Sequence, residues 1–196
     1  MSRSIDDVTW PVLTDRLTLR RPRAGDAEAT YEYRRVPEVA DWLTVLPTDP
    51  VAWAERFAGS DVQGTTVILE RDDEVVGELS IQVHDGWSQK EVEEQASHVE
   101  AEVGWVIAPA YQGRGYATEA ARAALEICFE RLSLRRVTAG CFVENEASWR
   151  IMEKIGMRRE HHSRSDGLHR TRGWLDGYQY ALLAEEWQSL RSAESG

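Results

Sequence analysis

The chain has 196 residues, 42% hydrophobic and 29% charged, which is enough for one well-buried core, short for two domains and too apolar for disorder. A net charge of -11 opposes nucleic-acid phosphate and suits a cationic partner, although acidity also serves solubility alone. No apolar run reaches the roughly 18 residues that cross a bilayer. The opening MSRSIDDVTW lacks the apolar stretch of a secretory signal, and Cys128 and Cys141 make no disulfide framework. The expectation is a cytoplasmic protein with neither a membrane nor a nucleic-acid partner.

A single domain over residues 1–196 is expected, its core from about 14 to 188, with a loose first dozen residues and a frayed Arg191–Gly196 tail. Arg16–Arg21 alternates as a first strand closed by Pro22. Asp26 can cap a helix towards Val36, and Asp49-Pro50 opens another with Asp49 as cap and Pro50 at the first helical position. Thr65–Glu70 and Val75–Val83 flank a polar turn and read as a hairpin. His84–Ser97 is a polar excursion, and Val99–Ile107 is the fourth strand, stopped by Pro109. Small and apolar residues recur at helical spacing from Gly115 to Leu132. A strand over Val137–Val143, a helix over Asn145–Ile155 stopped by Gly156, and strands near Met157–Ser163 and Trp174–Leu182 complete an α+β order with one parallel crossover.

The informative segment is Gln112-Gly113-Arg114-Gly115-Tyr116-Ala117, between a strand and a long helix. Its two glycines let backbone amides approach a ligand that a Cβ would hold off, and the helix N-terminus favours an anion, most simply phosphate. A Walker A loop is excluded, since Gly-x-x-x-x-Gly-Lys is absent. A dinucleotide fingerprint fails because Thr118 replaces its third glycine and Arg135-Arg136 stand where the acidic ribose ligand belongs. A glycine turn with no ligand is the plain alternative.

Gln112, Gly115 and Ala117 match in register the Gln/Arg-x-x-Gly-x-Gly/Ala signature of the GCN5-related N-acetyltransferase (GNAT) family, which the chain resembles. Asn145, Ser148 and Gly156-Met157 resemble its second signature. The flanks AEVGWVIAPAYQGRGYATEA, Leu17-Thr18-Leu19-Arg20 and Trp174-Leu175-Asp176 are similar to the RimJ/RimL-like branch, which acetylates N-termini of ribosomal proteins. The resemblance runs from about Thr14 to Trp187. It implies a mixed, mostly antiparallel sheet with helices on both faces, and a splayed gap between the fourth and fifth strands that admits acetyl-coenzyme A. It further implies that amides from Gly113 through Arg114, Gly115, Tyr116 and Ala117 to Thr118 hold the pyrophosphate, that Trp105, Val106 and Ile107 pair with the pantetheine arm, and that Asn145, also a helix cap, contacts the cofactor. Trp105–Ile107 as a core strand is compatible with this. No metal is expected, and a homodimer is allowed.

Acetyl transfer needs a neutral amine, a polarised carbonyl and a proton for the departing thiolate. The family places a carboxylate on the fourth strand, which points to Glu102 as base, with Glu100 and Glu78 in reserve; a solvent-facing role for Glu102 is the alternative. The tyrosine that commonly donates the proton falls at Met152, which has none to give, so Ser148 is the remaining hydroxyl. No activated nucleophile is evident, so the amine attacks directly. His161-His162 points to opposite faces of a strand and makes no metal pair. Cys128 and Cys141 read as core. Trp42 and Trp53, with Tyr31 and Tyr33, could line an acceptor cleft. The acceptor is a primary amine: a protein N-terminus, a polyamine, an aminoglycoside or an amino-acid-like metabolite. A coenzyme A-binding sensor without catalysis is the rival.

Overall fold

The computed structural model describes residues 3–194. Eight strands form one sheet: β1 (Val12–Leu13), β2 (Thr18–Arg20), β3 (Thr66–Arg71), β4 (Glu74–His84), β5 (Glu100–Ile107), β6 (Arg136–Phe142), β7 (Arg158–His169) and β8 (Gly173–Leu183), in the order β1-β2-β3-β4-β5-β6-β8-β7. Every neighbouring pair is antiparallel except β5–β6, which is parallel. The helix between those two strands, α5 (Tyr116–Glu126), supplies the crossover that parallel pairing demands. The β3–β4 turn is tight, with Asp72 and Asp73 both at positive φ, a conformation that aspartate tolerates better than most residues.

Side-chain alternation divides the strands between two cores. Val67 and Leu69 face a large cluster with α5, with Met152 and Ile155 of α6 (Glu146–Lys154) and its flank, and with Trp187 of α7 (Ala184–Glu194). Ile68, one residue out of phase, faces Ala27 of α1 (Asp26–Arg34) and Trp53 and Phe57 of α3 (Pro50–Phe57). Helices therefore cover both faces, as expected. Two short helices, α2 (Pro37–Ala40) and α4 (Ser60–Thr65), complete that second layer.

The ends differ from expectation. Ser4 caps a single turn over Ile5–Asp7, Ile5 and Val8 are buried in the main core, and Trp10 donates its indole N–H to the Ile5 carbonyl at 2.8 Å. Apolar contacts thus fix a segment whose composition alone looked loose. At the other end α7 carries the chain to Glu194, while Ser195 and Gly196 lie outside the described residues. Asp26 does not cap α1. Gly25 holds the cap position, and the Asp26 carboxylate accepts from the Arg23 amide and from Arg20 on β2, at 2.6 to 2.9 Å. Asp49 does cap α3, accepting from the amides of Val51 and Ala52.

The feature that shapes the site is where β5 and β6 part. Their pairing runs through Glu100↔Arg136, Ala101↔Val137 and Glu102↔Thr138, then stops. Beyond it β5 is paired only with β4, up to Gly77↔Ile107.

Candidate active site

The sheet opens towards the glycine loop. Because the Ala108 amide donates to Val76 on β4, ladder alternation turns the N–H and C=O of Trp105 and Ile107 the other way, towards the gap. Gln112 takes the Ile107 carbonyl through Nε2 at 3.0 Å, tying the loop to the end of β5. The Trp105 backbone is left as a free edge where an extended chain can pair.

Gly113 and Gly115 have φ of +72° and +83°, the left-handed region in which a Cβ is strained. Gly115 is the residue before α5, so the loop delivers unpaired amides at a helix start. Arg16 braces the turn from outside: Nη1 donates to the Arg114 carbonyl at 2.9 Å, and Nε donates to Glu119 at 2.7 Å. Thr14 and the Arg16 amide complete the shell around the Glu119 carboxylate. Burial pushes that carboxyl up, but these bonds outweigh it and hold it below its usual range. The buried Tyr116 ring lies beneath the Arg16 guanidinium at 4.7 Å, and its hydroxyl accepts from Arg71.

Loop, strand edge and α6 enclose a cavity of about 450 Å³. Trp105, Val106, Ile107, Gln112, Gly113, Gly115, Tyr116, Ala117, Thr118, Asn145 and Ser148 all line it. Arg114 does not; it stands over the Tyr111 ring in a separate hollow shared with Arg71, Asp72 and Glu74. Asn145 accepts from the Ser148 amide at 3.2 Å. Burial pushes the Cys141 thiol up to about 11, only partly offset by the Ser148 side chain and the Trp149 amide. Cys141 is thus half-buried beside the cavity rather than deep in the core like Cys128. Met152 is 1% exposed and packs in the main core.

The carboxylates fall in three different settings. Glu102 is exposed and outside the cavity lining, and its carboxylate has no hydrogen-bond or ion-pair partner among the described residues. It occupies the last paired position before β5 and β6 separate. Glu100 is engaged by Arg135 and Arg136. Glu78 is 4% exposed and paired with Arg34 at 2.5 Å. Burial raises its carboxyl above the usual value despite that partner.

Of the four aromatic residues expected to line an acceptor cleft, Trp42 does so and Trp53, Tyr31 and Tyr33 do not. Trp42 lines the cavity, with Glu38, Val39 and Leu43 beside it. Trp53 instead turns into the second core and donates to the Thr30 hydroxyl at 3.0 Å. Tyr33 is buried beside Glu78, and Tyr31 packs on the second core. Glu38 and the α6 residues Arg150, Ile151 and Lys154 also line the cavity, and no motif marked them.

A split mixed sheet with a glycine loop at the mouth of the split defines an acyltransferase of the GNAT type. The model of the acetyltransferase (GNAT) domain matches residues 16–158. An uncharacterised N-acetyltransferase of Bacillus subtilis, YnaD, is 35% identical over 179 residues, covering 90% of this chain and 98% of its own. YdaF of the same organism, named as a candidate ribosomal N-acetyltransferase, is 32% identical over 145 residues, 74% of this chain and 70% of its own. The solved GNAT acetyltransferase of Bacillus anthracis superposes with a TM-score of 0.75 at 30% identity, over 90% of this chain and 99% of that one. The chain belongs to the GNAT family and is an N-acetyltransferase. The family uses acetyl-coenzyme A.

Proposed function

We propose that the chain, as a single domain, transfers acetyl from acetyl-coenzyme A to a cationic primary amine, with a peptide α-amine as the first acceptor to test. The observation that carries this reading is the alignment of three features in one cavity: left-handed glycines at the start of α5, the free Trp105 backbone edge, and Ser148 on the facing helix. In this reading the amides of Gly113–Thr118 take the pyrophosphate, and Arg114, outside the lining, contributes its backbone alone. The pantetheine arm adds to β5 as a strand would, with Trp105, Val106 and Ile107. Asn145 holds the start of α6 so that Ser148 faces the sulfur and donates the proton that the thiolate needs.

Glu102 is proposed as base through water. At about 3.3 Å per residue it lies some 10 Å along β5 from Trp105, too far for direct contact with an acetyl group there. It stands at the fork, the last pair before the strands part, and in this reading the amine enters past it. An α-amine with pKa near 7.7–8.0 is about a tenth neutral at pH 7, so a modest base suffices, whereas a lysine near 10.4 is neutral in only about one molecule in 2,500. The net charge of -11 and the likeness to YdaF support a cationic acceptor and the peptide class respectively.

The test is amine-dependent release of coenzyme A thiol. A serine-initiated tetrapeptide amide, spermidine, an aminoglycoside and L-methionine are offered in turn. Fastest turnover with the peptide supports the α-amine reading; fastest turnover with spermidine or the aminoglycoside replaces it by a small polycation. Binding without thiol release in any arm leaves a sensor.

A further inference from the structure

Glu38, Val39, Trp42 and Leu43 form one wall of the cavity. Little local structure holds that wall. α2 is four residues long, and the chain from Asp41 to Asp49 contains no helix or strand. A single helical turn is not stable by itself and leaves its last carbonyls unpaired.

The tip of the β7–β8 hairpin, far away in sequence, supplies the missing partners. Arg170 donates to the Ala40 carbonyl at 2.7 Å and to the Leu43 carbonyl. His169 is 3% exposed, and its Nδ1 accepts from the Thr171 amide. The proton therefore sits on Nε2, which donates to the Asp41 carbonyl at 2.8 Å. Its ring meets Trp42 and Phe142 edge-on, at 6.2 and 5.5 Å between centroids. Arg172 pairs with the Asp41 carboxylate and lies over the Trp42 indole at 4.8 Å. Three carbonyls, one carboxylate and one indole of the wall are thus held by three consecutive-region side chains of the hairpin.

We propose that His169, Arg170 and Arg172 are positioning residues for the acceptor, fixing Trp42 and Glu38 as the groups that receive its ammonium end. Glu38 suits that role: it lines the cavity and has no ion-pair partner among the described residues. The part of the Trp42 indole that lines the cavity, with Glu38 on the same wall, suits a cation on a short apolar stem, while Arg172 holds the ring over its face. The inference rests on the acetyltransferase reading of the cavity.

Arg170 and Arg172 are exposed, so Arg170→Ala and Arg172→Ala leave both cores intact. Three quantities are measured: amide hydrogen exchange by mass spectrometry, acetyl-coenzyme A affinity by calorimetry, and steady-state constants with whichever of the peptide amide, spermidine, aminoglycoside or L-methionine is used fastest. In Arg172→Ala, exchange over residues 40–43 should rise about tenfold while that over 112–118 is unchanged. The amine KM should rise about tenfold with kcat within about twofold and cofactor affinity unaltered, and Arg172→Lys should recover part of the loss through the Asp41 pair. Unchanged exchange over 40–43, an unchanged amine KM, or equal weakening of amine and cofactor would each overturn the proposal. Failure of wild type to use any amine while still binding acetyl-coenzyme A would instead overturn the catalytic reading, and exchange would still decide whether the hairpin holds the wall.

Discussion

Gly115 shows how much one backbone angle can decide. At φ +83° a Cβ would meet only the Arg16 guanidinium, at 3.3 Å, so the demand for glycine is chiefly conformational. Gly115→Val places a β-branched residue where left-handed backbone costs about 1–3 kcal/mol, and relief of that strain shifts the amides proposed to hold the pyrophosphate. Calorimetry should find a folded protein with acetyl-coenzyme A affinity reduced more than about tenfold. Ser148→Ala should lower kcat more than it changes the acetyl-coenzyme A constant, whereas Met152→Ala should lower Tm, because Met152 is core. If Met152→Ala abolishes chemistry and Ser148→Ala does not, the acid is misassigned. Glu102→Gln should cost about 10- to 100-fold at pH 7 and recover towards pH 9 as an α-amine acceptor deprotonates unaided; a mutant fully active at pH 6.5 removes Glu102 from the mechanism. The loop was legible because all its determinants are consecutive residues. For Glu102 the sequence allowed a solvent-facing setting without deciding it, and the inward turn of Trp53 was not legible, because both depend on which elements cover a face.

Among the elements, β2, α1 and β3 are joined by a buried charge network. Arg20 pairs with Asp26 at 2.8 Å and with Glu70 at 2.6 Å, and all three side chains are largely shielded. Burial alone would raise the Asp26 carboxyl, but bonds from Arg20 and the Arg23 amide bring it below its ordinary 3.8. A folded-state value below the unfolded one gives stability that is complete above 3.8 and is lost as pH falls through the folded value. Asp26→Asn should cost about 3 kcal/mol or more at pH 7, since it leaves Arg20 short of a partner. It should also flatten the loss of stability below pH 3.8, as followed by urea unfolding across pH 2–7. Strand and helix order was readable from periodicity. The role of Asp26 was not, since an acidic residue before a helix reads as a cap until a distant arginine claims it. β1, α2 and the turn at Ile5–Asp7 are too short to carry a period, so periodicity could not show them.

For the whole molecule, the mixed sheet matters through one interruption, the end of β5–β6 pairing after Glu102↔Thr138. Everything assigned to the cofactor lies beyond that fork, and the hairpin-held segment contributes a wall of the same cavity. The strand order makes such a gap attainable, but only the register shows where it opens. The most direct measurement is thiol release from acetyl-coenzyme A by wild type and Gly115→Val, with and without the tetrapeptide amide. The expected result is amine-dependent release by wild type that the variant loses at a cofactor concentration saturating for wild type. Equal release by a folded Gly115→Val protein, or cofactor binding by wild type with no release in the presence of any amine class, would contradict it.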